Sequence, residues 1–248
     1  MSPQLLDSEP PVYFLAIQAA CKLILGPFWT VAYVLYIKQG FKDKSYGMPM
    51  VAVCANIGWE LIYGVFYPLS PAETITFVPW FLIDLGIVYT TIKFGSEQWK
   101  HAPLVANNLG LIVGIGSVVS FLTHWALIKT CATVEEAAFY SGFGCQVVMG
   151  VLCVAQLLHR NHTKGHSWTI WFCRWIGTVG ATGLFVLRYL HYPEQYPFAG
   201  TPMAMLLFMG SAVADLIYPF IFYKLKKAEG TEKPRLGKKP FSRFLLIK

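Results

Sequence analysis

Seven long, mostly apolar stretches divide the chain so closely that nothing else can fold between them. They are Tyr13–Tyr36, Pro49–Tyr67, Val78–Phe94, Leu104–Leu127, Ala137–Leu158, Thr169–Leu190 and Pro202–Tyr223. A helix rising 1.5 Å per residue needs about 20 such residues to cross the hydrocarbon core of a bilayer. The seven together take 150 of the 248 residues, and the connections between them average about ten. The expected fold is therefore all-α: one polytopic seven-helix membrane domain over 1–223, then a basic tail over 224–248 that carries no fold signal and is expected to be disordered. Connections this short make each helix the antiparallel neighbour of the next. Any chemistry has to sit among the helices.

Composition supports this class and excludes others. Only 13% of residues are Asp, Glu, Lys or Arg, 55% are hydrophobic, and the mean hydropathy is +0.49. A soluble domain, a disordered chain and a coiled coil all need more charge than this. The basic residues are also sorted. Sixteen of the 20 Lys and Arg flank the first, third and fifth connections or lie in the tail, against one, Lys129, on the opposite side. The positive-inside rule then places the N-terminus in the lumen and the C-terminus in the cytosol. The net charge of +7 is mostly this topology signal, so the bilayer is the expected partner and nucleic acid is not. Met1–Val12 holds Asp7, Glu9 and three prolines with no basic stretch, so the first span reads as a retained anchor, not a cleaved signal. Five of the six cysteines fall inside spans without ligand spacing and read as small hydrophobes.

Three acids break the apolar pattern: Glu60, Asp84 and Asp215. A carboxylate at mid-bilayer costs about 2.5–3.5 kcal/mol on insertion scales, so such a residue normally faces the bundle interior and carries function. Counted from the span centres, all three fall within roughly 4 Å of the midplane. From their shared depth they are expected to converge on one cavity. Their helical neighbours suit a binding site, being aromatic with a few polar groups: Asn56, Trp59 and Tyr63 around Glu60, Trp80 beside Asp84, and Phe208, Ser211 and Tyr218 around Asp215. The competing reading is structural pairing with a basic group. Lys22 lies near mid-depth and is available for it, whereas Arg174 and Arg188 lie nearer span ends, where they can snorkel outward.

A carboxyl in a dry apolar site retains its proton and can donate it. Aromatic faces nearby can shelter a developing cation. That pairing suits protonation-initiated cyclisation of a polyene, and buried acids equally suit a proton relay in a transporter. No acidic pair is spaced to hold magnesium on a diphosphate, so no metal is expected. Gly114 and Gly116 sit in an apolar span and read as helix-packing positions. His159, His162 and His166 lie in a short basic connection and read as solvated loop residues.

Six segments carry a resemblance: Gly26–Tyr33 (GPFWTVAY), Ser45–Pro49 (SYGMP), Asn56–Tyr63 (NIGWELIY), Trp99–Asn108 (WKHAPLVANN), Leu187–Glu194 (LRYLHYPE) and the lone Asp215 of the last span. In this order, and with this span count, the chain resembles the fungal integral-membrane terpene cyclases of meroterpenoid and indole-diterpene biosynthesis, the paxilline-type cyclases. The resemblance implies a cofactor-independent enzyme of the endoplasmic reticulum. Its substrate would be a hydrophobic epoxyprenyl-arene, with a farnesyl or geranylgeranyl chain cyclised after protonation of the terminal epoxide. It further implies Glu60 and Asp215 as the catalytic acids, and other membrane enzymes of the same pathway as neighbours. Ser45 stands where the family often has threonine, and Asp84 matches no family acid. The alternative from the residues alone is a seven-span proton-coupled small-molecule transporter using the same three acids. Such carriers usually show internal repeats, and none is evident between the first and last three spans.

Overall fold

The structure, a computed structural model, describes residues 10–231. These are helical throughout, with no strand among the described residues. Helix α1 is Val12–Asp43, and α2 is Met50–Leu61, prolonged by a π-turn at Ile62–Phe66. Then come α3 (Pro71–Gln98), a single turn α4 (Pro103–Ala106), α5 (Leu109–Thr130), α6 (Val134–Arg160), α7 (Trp168–His191) and α8 (Pro202–Thr231). Six of these are long and apolar enough to cross a membrane: α1, α3, α5, α6, α7 and α8. The seventh stretch, Met50–Phe66, is shorter, about 25 Å at helical rise.

Capping chemistry explains where the elements begin. Ser70 Oγ accepts from the Glu73 amide at 3.3 Å and donates to the Glu73 carboxylate at 2.8 Å, starting α3 seven residues before the apolar pattern does. Thr133 accepts from the Glu136 amide at 3.0 Å, and Ser167 from the Ile170 amide at 3.2 Å, so α6 and α7 are capped alike. Two helices end on left-handed residues, Lys44 after α1 (φ 50°) and Asn161 after α6 (φ 53°). The expected span Leu104–Leu127 is interrupted at Asn107 and Asn108. There the Asn108 side chain donates back to the Leu104 carbonyl at 2.8 Å, and α5 restarts from Asn108. At the other end of the chain α8 runs on through Tyr223 to Thr231. The expectation of disorder from Lys224 is thus corrected for residues 224–231, and the rest of that tail lies outside the described residues.

The bundle is built from three closely packed pairs: α1 on α7, α2 on α5, and α6 on α8. Glycines set two of these. A Cβ on Gly58 would meet the Ser120 hydroxyl at 2.5 Å and the Phe121 backbone at 2.7 Å, so α2 lies directly against the α5 backbone. Gly116 of α5 is likewise filled by Cys54 Sγ, at 2.7 Å from such a Cβ, whereas Gly114 has open space around it. Gly180 brings α7 within 3.0 Å of the Leu25 backbone of α1 by the same measure. Sequential antiparallel packing holds only in part. Helices α6 and α7 follow one another in the chain, yet α6 packs on α8 and α2 while α7 packs on α1 and α8. Their backbones stay apart, bridged by side chains such as Phe139 and Phe143 on Phe185, and the main cavity lies between them.

Candidate functional site

The cavity between α6 and α7 has a volume of about 340 Å³ and is also lined by α1, α2 and α3. Its aromatic wall is continuous. Trp29 meets Tyr33 edge-on at 5.6 Å, Tyr33 meets Trp80 at 5.9 Å, Trp80 lies 5.6 Å from Phe77, and Phe77 meets Trp59 at 4.7 Å. Phe139 and Phe143 of α6 face them from across the cavity. Hydrogen bonds fix the rings. Trp80 Nε1 donates to Thr30 Oγ1 at 2.7 Å, and Trp59 Nε1 to the Ala138 carbonyl at 3.3 Å.

Glu60 lies on the cavity lining and is 1% exposed. Neither of its oxygens has a partner in ordinary hydrogen-bond geometry among the described residues, and the same holds for both oxygens of Asp84; the only polar groups acting on them as looser partners are the Tyr33 hydroxyl and the Asn56 amide. The two acids are electrostatic neighbours, with Tyr33 beside Glu60 and Asn56 beside Asp84. Asn56 in turn donates to the Tyr33 hydroxyl at 2.8 Å. No Lys or Arg is among the groups acting on either acid. Two buried carboxyls thus share an aromatic, cation-free environment, one on the cavity surface and the other behind it.

Asp215 is placed elsewhere. It lines a second cavity of about 330 Å³ between α7 and α8, together with Phe208 and Ser211. Arg174 Nη2 donates to its carboxylate at 2.5 Å, and both side chains are buried. The guanidinium also donates through Nη1 to Cys153 Sγ at 2.9 Å and to the Tyr36 hydroxyl at 3.4 Å. Convergence of the three acids on one cavity is therefore corrected. They point in different directions: Asp215 of α8 meets Arg174 of α7, whereas Glu60 of α2 lies with Asp84 of α3 and Tyr33 of α1. Arg174 and Arg188 do not snorkel either. They are 2% and 7% exposed, and Arg188 pairs with Glu135 at 3.0 Å.

The residues expected around the acids divide the same way. Asn56, Trp59 and Trp80 line the main cavity with Glu60, while Tyr63 is buried beside it and accepts from Ser141 Oγ at 3.2 Å. Tyr218 faces away, bonded to His166 Nδ1 at 3.1 Å. The loop histidines go to separate partners, His162 to Gln98 at 3.0 Å and His159 beside the ring of His101 at 5.5 Å. Burial, reinforced by Arg160, Arg174 and His162, pushes the His166 imidazole well below its usual range. Sequence reasoning did not select Trp29, Tyr33, Phe139, Phe143, Cys145 or Gln146 as lining residues. Trp29 and Tyr33 were within reach, since they stand one helical turn apart inside the GPFWTVAY segment. A link joins the two cavities: Gln146 lines the first, Thr178 lines the second, and their side chains meet at 3.4 Å.

Residues 5–228 match the family described as Pyr4-like transmembrane terpene cyclases. The chain is 52% identical over 222 residues to the Pyr4-family terpene cyclase mfmH of Annulohypoxylon moriforme, covering 90% of this chain and 92% of that one. It is 34% identical over 208 residues to the terpene cyclase macJ of Penicillium terrestre, with 83% and 81% covered. To the terpene cyclase atmB of Aspergillus flavus it is 35% identical over 207 residues, with 83% and 84% covered. No solved structure matches.

Proposed function

The chain belongs to the Pyr4-like transmembrane terpene cyclases, and from that membership we propose that it cyclises an epoxidised prenyl chain carried on an aromatic head group, with Glu60 as the proton donor. The observation that carries this reading is the pair of buried carboxyls, Glu60 and Asp84, without a neighbouring cation beside an aromatic cavity. Two acids so placed cannot both bear charge, and the proton they retain is available at the cavity surface. In the reaction, Glu60 transfers its proton to the epoxide oxygen and the adjacent carbon–oxygen bond breaks, its electrons going to oxygen. The electron-poor carbon is then captured by the next alkene, and each ring closure passes the positive charge along the chain. The last cation loses a proton, which returns to the Glu60–Asp84 pair and regenerates the acid, so the reaction is a net isomerisation and consumes no co-reactant. Trp29, Tyr33, Trp59 and Trp80 shelter the charge with their ring faces.

Asp215 acts in this scheme as a positioning residue. Its carboxylate neutralises Arg174, and through Thr178 and Gln146 that pair is tied to the cavity wall. The membrane frame follows the charge pattern: Met50–Phe66 serves as a seventh span, the N-terminus is lumenal, the C-terminus is cytosolic, and the bilayer is that of the endoplasmic reticulum. Other membrane enzymes of the pathway would deliver the hydrophobic substrate through that bilayer. Family membership favours this reading over proton-coupled transport.

The test is cyclisation of an epoxyfarnesyl arene by membranes carrying the wild type, E60Q or D84N. E60Q is expected to lower the rate by about 10²–10⁴-fold, the usual worth of a general acid, at unchanged protein level. A near-normal rate in E60Q would refute the assignment.

A further inference from the structure

The main cavity carries a charged rim at the end away from Glu60, and the cyclisation step makes no use of it. Lys22 of α1, Glu73 of α3, Glu135 of α6 and Arg188 of α7 all line this end. Three of the four are tied down. Arg188 donates through Nη1 to Glu135 at 3.0 Å and through Nε to Gln18 at 3.2 Å, and its guanidinium lies 5.0 Å from the Tyr196 ring. Glu73 accepts from the Ser70 hydroxyl at 2.8 Å. Lys22 differs: it forms no ion pair within 4.0 Å among the described residues and acts on Glu135 only at longer range. It is the uncommitted cation of the rim, on a flexible stem, and lies with the rim at the outer end of the cavity and not beside Glu60, as its expected mid-depth position implied.

The cavity is thus polarised along its length. On α6, Glu135 marks the rim and Cys145, beside Glu60, marks the inner end, about 15 Å further along the helix. Aromatic rings fill the interval. An elongated amphiphile with one polar end matches this distribution.

We propose that the rim is a head-group subsite in which Lys22 pairs with an acidic oxygen, carboxylate or phenolate, on the arene of the substrate. The inference rests on the cyclase reading and specifies the substrate class for it. A charge-assisted hydrogen bond at the rim holds the head, and the prenyl chain lies inward with its epoxide at Glu60. The opposite insertion would bury an anionic head in the apolar inner end, where no Lys or Arg acts on Glu60 or Asp84 and none would compensate it. Attraction at one end and an uncompensated charge at the other impose a single direction of entry.

The test uses the full chain in detergent and two substrates, an epoxyfarnesyl hydroxybenzoic acid and its fully methylated counterpart. Both are followed by cyclised product and by quenching of the cavity tryptophans. The wild type is expected to show a KM for the acid at least about tenfold lower than for the methylated head, in keeping with a charged hydrogen bond. K22M is expected to bring that ratio close to one with a much smaller change in kcat, and K22R to preserve it. Equal KM values for the two heads in the wild type would overturn the proposal, and that comparison stands even if K22M fails to fold. A preserved ratio in folded K22M would also overturn it. If both heads are cyclised without preference, the subsite fails and the cyclase reading holds. If neither is cyclised but the acid binds about tenfold tighter in a Lys22-dependent way, the subsite holds and the cyclase reading fails.

Discussion

Glu60 and Asp215 are both buried carboxyls, yet they sit in opposite electrostatic company. Asp215 has Arg174 at 2.5 Å, and Arg174 has little else of opposite charge. Removing one member of such a pair strands the other, at a cost of about 3–5 kcal/mol, whereas replacing both by apolar groups is often tolerated. D215N is therefore expected to lower the thermal stability of the detergent-solubilised protein, and R174M/D215L to recover most of it, read by the melting temperature of tryptophan fluorescence. If D215N melts like the wild type, the pair is not a structural element. His166 gives a second prediction, outside the spans. Its imidazole is held well below its usual range by burial and by the nearby Arg160, Arg174 and His162, so the folded state excludes a proton that the unfolded chain accepts near pH 6.5. Stability from this group is present above about pH 6.5 and is lost as pH falls below it. A melting series from pH 7.5 to 5 should show that decline, and H166Q should flatten it. All three membrane acids were legible in the sequence, because a charge in an apolar span stands out by itself. The Asp215–Arg174 pair was not, because their contact depends on which faces of α7 and α8 meet, and no local pattern records that.

Helix α2 carries Glu60, and its position is set by contact with α5. Gly58 faces backbone across that contact, which cannot yield, while Gly116 faces only the end of the Cys54 side chain. G58A is expected to destabilise by about 1–3 kcal/mol, as overpacking does, and to reduce cyclisation by displacing Glu60. G116A should be milder and relieved by C54A, and G114A should be close to neutral because nothing lies within 4 Å of its added methyl. The order of melting temperatures across these variants checks the contact. Gly114 and Gly116 looked equivalent in the sequence. They differ because only one of two residues that lie two apart on a helix faces a given partner. Helix starts were more readable than span limits suggested, since Ser70, Thr133 and Ser167 each stand three residues before the amide they cap. The apolar pattern alone began α3 seven residues late, as the polar first turn of a helix lies beyond it.

The arrangement of the whole bundle in a membrane follows from its connections. Under the proposed orientation, residues 131–133 and 192–196 face the lumen and residues 161–167 face the cytosol. A glycosylation acceptor inserted at the first two is expected to be modified in microsomes and one at the third is not; the reverse pattern would invert the orientation. The apolar segments and their order were legible in the sequence, but the separation of α6 from α7 was not, because a short connection constrains only the ends of two helices. That separation has a consequence for how such a protein can diverge. Each of the two helices is anchored through its outer faces, α6 on α8 and α2, α7 on α1 and α8. Toward each other they meet through side chains, Phe139 and Phe143 of α6 on Phe185 of α7, with Glu135 on Arg188 and Gln146 on Thr178. Substitutions among those side chains can reshape the chamber, and with it the ring skeleton a chain is folded into, while the two backbones stay held by their outer faces, so new products are within reach of few mutations.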